Sequence, residues 1–282
     1  MPVSRSEKLL LFSKLLVSSP GECLDRLTTL AQCKIEAGRF AAPHYEVRSF
    51  SDNVELLSGA LKCDLAEFLN EAGLTEIEME SAERLAPHSD SKGFGAAHNA
   101  DPALARLCYA VVRALRPDRV LETGVAHGIT TAFLLKALET NGTGHLWSID
   151  LPPLVPKARE FVGRAVPERL RSRWTLCRGQ SHRILPGLVR QLQPLDIFIH
   201  DSLHTYRNET FEFATAWPHL RRGGLLISDD IEAHPAWLDW QHRVQPSLAA
   251  VFEEENKSFD NVPTSIPTLK FGIMIKPKAV LN

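Results

Sequence analysis

Apolar positions in this chain change their period along its length. Up to about Leu85 they recur at three- and four-residue spacings, which predicts helices over Ser6–Val17, Cys23–Ala37 and Val54–Ala72. The last of these carries Leu56, Leu57, Leu61, Leu65 and Leu69 at helical spacing. From Pro87 to Asn99 the pattern lapses into a polar stretch containing Ser89, Ser91, Gly93 and Gly95, which reads as a linker or a mobile loop. The domain boundary therefore falls there, dividing a helical N-terminal cap or dimerisation region (1–95) from a larger domain (96–282).

Beyond Asp101, short runs rich in β-formers alternate with helical ones. The expected order is helix Pro102–Leu115, strand Arg119–Glu122, helix Ile129–Leu138, strand His145–Asp150, helix Ala158–Val166 and strand Trp174–Cys177. Helix His182–Gln191, strand Leu195–His200, helix Asn208–Leu220 and strand Leu225–Ser228 follow. Such alternation predicts an α/β fold, a Rossmann-like doubly wound and mostly parallel sheet with right-handed crossovers. The run Leu269–Ile275, reached through Asn261–Pro267, predicts a closing antiparallel hairpin.

Composition narrows the partners. The chain has 282 residues, 44% of them hydrophobic, and a formal net charge of -2, with Lys and Arg scattered rather than striped. That argues against a nucleic-acid footprint and for a small-molecule partner. The 5 cysteines are odd in number and widely spaced without a CxxC pair, so neither a disulfide framework nor a zinc site is indicated, and a reducing cytoplasm is the expected compartment. Leu9–Val17 follows Arg5 and Lys8 as the core of a leader might, but Lys14 interrupts it and it is too short to span a bilayer. No membrane association is expected.

The chemistry begins at Val120-Leu121-Glu122-Thr123-Gly124-Val125-Ala126-His127-Gly128, which reads as an apolar strand, an acid, a tight turn with two glycines and an apolar helix start. Glycine serves where the backbone takes positive φ or lies against a ligand. A dinucleotide fingerprint starting at Gly124 would need glycine where Ala126 and Ile129 stand, so a nicotinamide oxidoreductase is the weaker reading. Asp150 closes the next strand, where an acid can accept hydrogen bonds from ribose hydroxyls. Alone, Glu122 and Asp150 could each be ordinary strand-end caps. In register on adjacent strands they read as a cofactor site.

The E-x-G-x-x-x-G pattern resembles the first motif of class I S-adenosylmethionine (SAM)-dependent methyltransferases, whose ligand lays its methionine portion along this loop. Gly179-Gln180-Ser181-His182-Arg183-Ile184-Leu185-Pro186 is similar to the turn after the third strand in the catechol O-methyltransferase group, which implies Gln180, Ser181 and His182 as adenine contacts. Leu220 to Asp230 is similar to that group's helix end, Gly turn and fifth strand. Asp201-Ser202-Leu203-His204-Thr205-Tyr206, taken with Asp229-Asp230, most resembles bacterial macrocin-type and cephalosporin-hydroxylase-like O-methyltransferases, which are associated with natural-product tailoring. The resemblance spans Pro102–Lys276 as an architecture and leaves the N-terminal helices outside.

Asp201 closes the fourth strand and Asp229-Asp230 the fifth, and in a doubly wound sheet these ends share the ligand crevice. Three converging carboxylates repel one another unless a cation is present, and an all-oxygen site suits a hard ion such as Mg²⁺. The catechol-type resemblance implies Asp201, Asp229 and Asp230 as metal ligands, with Asp230 departing from an Asn in that pattern. The alternative is that all three cap their own turns. His204 stands where those enzymes carry a catalytic lysine, and its ordinary pKa suits proton abstraction near neutrality. His200 and His234 are weaker candidates, and Tyr206 and Trp237 read equally as cap packing or substrate-pocket walls. The expected activity is O-methylation of a small hydroxylated substrate of natural-product, sugar or phenolic type, with SAM and a divalent cation, in a possible homodimer or higher homo-oligomer through the N-terminal helices. The rivals are a metal-independent O- or N-methyltransferase, the nicotinamide enzyme and a non-catalytic cofactor-binding scaffold.

Overall fold

Five strands, β1 (Arg119–Thr123), β2 (His145–Asp150), β3 (Trp174–Arg178), β4 (Leu195–His200) and β5 (Leu220–Ser228), run parallel. Two more, β6 (Leu248–Glu253) and β7 (Lys270–Ile275), close the edge, with β7 antiparallel to both β5 and β6. The order is β3-β2-β1-β4-β5-β7-β6, so the direction of winding reverses between β1 and β4. At such a switch the loops after the two strands diverge to opposite faces and leave a crevice. The computed structural model describes residues 5–86, 102–154, 158–253 and 269–278; the Pro87–Asn99 stretch and the Asn261–Pro267 approach to the hairpin lie outside them.

Side chains alternate between two apolar cores. Val120, Ile197, Ile199, Leu225 and Ile227 face α6 (Pro102–Leu115) and α7 (Ile129–Asn141). Leu121, Phe198 and Leu226 face α9 (Ser181–Leu192), α10 (Tyr206–Ala216) and α11 (Ala236–Val244). Period-two burial on both faces is what a doubly covered parallel sheet requires. Among the described residues no helix is long and apolar enough to cross a membrane, and all five cysteines are free thiols.

The N-terminal third contains α1 (Arg5–Ser18), α2 (Pro20–Glu36), α3 (Phe50–Leu61), α4 (Leu65–Leu69) and α5 (Ala72–Leu85). Leu57, Leu65, Leu74 and Ile77 enter the same core as α6 and α7, so truncating any one of them should cost roughly 2–5 kcal/mol. The expected single helix Val54–Ala72 is three pieces. Lys62 takes a left-handed turn at φ 59°, and Asp64 caps the new start by accepting from the Ala66 amide at 2.9 Å. A short polar side chain next to a helix end competes for backbone donors and breaks the run.

Two other departures have local causes. The helix expected over Ala158–Val166 stops at Phe161 as α8. Gly163 follows at φ 68°, and a Cβ there would come within 2.2 Å of the Trp174 ring. β5 begins at Leu220 rather than Leu225 because its pairing with β4 jumps: Leu195 faces Leu220 but Ile197 faces Leu225. The Arg222-Gly223-Gly224 segment is thus an insertion within the strand, with Gly223 at φ 70°, as expected of a bulge. The helix α11 and the strand β6 lack a signature among the motifs above.

Gly163 is thus required by both its backbone angle and its neighbour. Gly163→Ala should destabilise the protein by about 2–4 kcal/mol through left-handed strain plus overpacking against a rigid indole, measured as a shift in the urea midpoint with unchanged slope. A midpoint within error of the parent would show that the contact with Trp174 is slack.

Candidate active site

Backbone hydrogen bonds draw the carboxyl ends of the strands together. Gly124 N donates to Ile149 O at 2.8 Å, Asp201 N to Thr123 O at 2.8 Å, Asp229 N to His200 O at 3.0 Å and Gly179 N to Asp150 O at 2.9 Å. Above these ends lies a cavity of about 510 Å³, lined by Glu122, Gly124, Asp150, Gln180, Ser181, Asp201, His204, Asp229 and Asp230 of the expected site residues, and also by Thr29 from α2. Gly124 has φ 87°, and a Cβ on it would lie 1.7 Å from the Asp201 carbonyl oxygen. Glycine is therefore needed there for the crossing of the β1 and β4 loops as well as for close approach to a ligand.

Two expected cofactor residues are not among the lining side chains. Gly128 sits at φ 81° at the start of α7, and a Cβ there would meet Gly163 Cα at 2.7 Å. Its role is packing. His182 stacks on Phe211 with ring centroids 3.9 Å apart, on the flank of α9 rather than in the cavity. The signal that drew both into the motif is their spacing, which in each case also serves a helix start.

Asp150 presents a buried, unpartnered acceptor at the cavity wall. Its Oδ1 accepts from the Val125 amide at 3.1 Å in the Gly turn. Its Oδ2 is buried with no hydrogen-bond partner. Burial, which outweighs the turn amides, lifts its pKa to about 6. Glu122 has the opposite character. Its Oε2 accepts from Ser148 Oγ at 2.7 Å and Thr131 Oγ1 at 2.8 Å, and burial pushes its pKa up to about 8 despite those donors. A neutral, internally satisfied carboxyl of this kind shapes the turn, whereas Asp150 presents an open acceptor.

Across the crevice, His204 Nε2 stands 3.7 Å from Asp201 Oδ1 and 3.4 Å from Asp230 Oδ2. Burial opposes its charge, but the carboxylates of Asp201, toward which its N–H points, and of Asp230 outweigh burial and raise its pKa to about 9. Asp230 holds φ 48°, a left-handed angle that Asp tolerates better than most residues and that turns its carboxylate toward the imidazole. Among the described residues no group of three or more His, Cys, Asp or Glu side chains is arranged to hold a metal ion. Asp201, Asp229 and Asp230 share the cavity wall, yet the space between Asp201 and Asp230 is faced by an imidazole.

Behind this loop lies a network that the motifs did not reveal. Glu212, fully buried on α10, accepts from Ser202 Oγ at 2.8 Å, from Asn208 Nδ2 at 3.2 Å, from the Thr123 hydroxyl, and pairs with His200 Nδ1 at 2.7 Å. Burial alone would raise its pKa, but His200 and the hydroxyl donors bring it down to about 2. Glu209, also fully buried, is driven well above the usual carboxylate range, first by burial. Its neighbour His234, 3.4 Å away, is pushed down to about 4 by burial and the other imidazoles. The available signal was spacing: Glu209 and Glu212 share a helical face with Phe213 and Ala216.

The raised pKa of Glu122 gives a signed expectation. Its unfolded value lies near 4.3 and its folded value near 8, so the folded state holds a proton that the unfolded chain releases. The contribution of the neutral carboxyl is present at low pH and fades as pH rises through that interval. Glu122→Gln, which keeps the shape without the charge, should flatten the decline in melting temperature between about pH 5 and 8.5. Parallel profiles for the two proteins would show that Glu122 is ionised in the fold.

The sequence over residues 121–231 matches a family model described as a methyltransferase domain. No curated protein matches the chain significantly. Among solved structures, the chain resembles a putative O-methyltransferase from Klebsiella pneumoniae at TM-score 0.52 and 17% identity, covering 80% of this chain and 96% of that one. It resembles the O-methyltransferase from Bacillus cereus in complex with SAH at TM-score 0.51 and 15% identity, covering 73% and 91%. The O-methyltransferase TomG from Streptomyces achromogenes, involved in tomaymycin synthesis and solved with SAM, gives TM-score 0.51 and 15% identity over 74% and 91%. Residues 121–231 thus match a methyltransferase-domain model, and the strand order with its crevice at the switch point is the Rossmann-like fold of these solved structures.

Proposed function

We propose that the protein transfers the methyl group of SAM to a hydroxyl oxygen of a small molecule. The observation that carries this reading is the pairing, in one cavity, of an open buried acceptor at Asp150 with the His204–Asp201–Asp230 cluster on the facing wall. The residues fit the cofactor. Asp150 Oδ2 would accept from the ribose hydroxyls, Gln180 and Ser181 would border the adenine, and the turn from Gly124 would lie along the methionine portion. When bound, SAM supplies a methyl group already activated on a sulfonium. The chain then contributes alignment of the acceptor oxygen, which can be worth several kcal/mol, and a place for the hydroxyl proton.

His204 is the proton acceptor in this reading. The carboxylates on either side of it stabilise the imidazolium that forms, so it is a stronger base than an ordinary histidine, and less of it is free to act at neutral pH. The resemblance also implies a divalent cation at Asp201, Asp229 and Asp230, but the side chains as placed do not form a cage for one, and no step here depends on it. A panel of sugar and phenolic hydroxyl acceptors tests the substrate class directly. Loss of turnover on chelation with recovery on adding Mg²⁺ would assign the carboxylates to an ion. Full turnover after chelation, with metal absence shown by elemental analysis, leaves the proton to His204.

SAH should raise the melting temperature of the parent protein, and Asp150→Ala should lose most of that rise. Equal shifts in the two proteins would remove Asp150 from the cofactor site. His204→Ala should lower kcat by about 10²- to 10⁴-fold with SAH affinity nearly unchanged. Because the folded pKa of His204 is raised to about 9, the parent kcat should climb with pH up to that value, and the climb should vanish in the variant. A variant within a few-fold of the parent, or one that keeps the same limb, would exclude His204 as the base.

A further inference from the structure

The helix α2 is amphipathic in the opposite sense to a helix docked on a core. Its inner face is polar: Asp25, Arg26, Thr29, Gln32 and Glu36 are buried or half-buried against the body. Asp25 takes Arg183 Nε at 2.6–2.7 Å. Arg26 donates to Pro152 O at 2.8 Å, Gln180 Nε2 to Thr29 Oγ1 at 3.1 Å and Gln32 to the Thr205 hydroxyl, and the Arg207 amide reaches Glu36 at 3.3 Å. These ties run from the loop after β2, past the loop after β3, to the loop after β4, so α2 lies across the mouth of the cavity and Thr29 lines it.

Its outer face is apolar. Leu24, Leu27, Leu30 and Ile35 on α2 and Leu10, Leu16 and Val17 on α1 are each about half exposed or more, with Val17 at 87%. Met79 on α5 is the one other large apolar side chain exposed to that degree among the described residues. Polar ties at a surface contribute up to about 1 kcal/mol apiece, whereas an apolar patch of this size is normally covered.

We propose that a second copy of this chain covers the outer face of the α1–α2 hairpin, and that the resulting dimer holds α2 against the cavity it lines. Two antiparallel hairpins meeting across a two-fold axis make a four-helix bundle, in which the same patch faces itself. The exposed area of the seven side chains is on the order of the ~800 Å² per partner found in stable interfaces. The interface statement stands on the exposed face alone. The statement about the cavity rests on the cofactor reading above.

Sedimentation velocity across a concentration series tests the interface in the full-length chain. The parent protein and a Met79→Glu control should sediment as dimers, and a Leu27→Glu, Ile35→Glu double variant as a monomer with an unchanged circular dichroism spectrum. SAH affinity by calorimetry should be weaker in that monomer by about fivefold or more. A monomeric parent, or a double variant that remains dimeric, overturns the interface. A monomeric variant that binds SAH as tightly as the parent overturns the bracing. If the parent itself binds no SAH, the cofactor assignment fails, and the sedimentation result still judges the interface.

Discussion

The carboxylate of Glu212 is the fixed point from which the crevice is built. It has no exposed surface, and an isolated buried charge would cost several kcal/mol. Four partners offset that cost: the Thr123 hydroxyl at the end of β1, His200 at the end of β4, and Ser202 and Asn208 in the loop and helix beyond. Thr123 precedes the Gly124 turn and His200 precedes Asp201. One side chain therefore ties together the ends of β1 and β4 and the loops that leave them. Gly124 must be glycine because this approach leaves a Cβ no room beside the Asp201 carbonyl.

Environment, more than residue type, decides the charges in the crevice. His204 is half-buried and His234 buried, yet the first is lifted to about 9 and the second lowered to about 4. The difference is that His204 lies between the carboxylates of Asp201 and Asp230, whereas His234 is held down by burial and by the imidazoles of His200 and His204, and the acid nearest it, Glu209, is driven toward the neutral form by burial. Glu122 is likewise shifted toward neutrality. The effect is a pocket in which the wall carrying Asp201, His204 and Asp230 is more polar than the floor at Glu122.

The N-terminal helices divide into two kinds of attachment. α3, α4 and α5 are held by apolar side chains that belong to the main core. α2 is held by hydrogen bonds and ion pairs to the loops around the cavity. The first kind is hard to open because its contacts exclude water. The second kind competes with water for each hydrogen bond and so contributes less per contact.

Local pattern was enough to read the alternation of β-rich and helical runs, and hence the doubly wound sheet, because burial on both faces imposes continuous apolar runs on strands and amphipathic runs on the helices that cover them. Strands His145–Asp150 and Leu195–His200 and helix Pro102–Leu115 were legible to the residue. So were the carboxyl-end positions of Asp150, Asp201, His204, Asp229 and Asp230, since chain order alone puts strand ends in the crevice of such a sheet. Helix ends set by a neighbour were not legible: α8 stops before Gly163, where a Cβ would meet the Trp174 ring on β3. Nor did motif spacing show that Gly128 packs against Gly163 and His182 on Phe211, or that Glu209 and Glu212 lie buried behind the loop after β4. A carboxylate in a strand-end motif looks the same in sequence whether it is open, as Asp150 is, or already satisfied, as Glu122 is. Only the fold decides that, because hydrogen-bond partners and exclusion of water depend on what the rest of the chain places within about 3 Å.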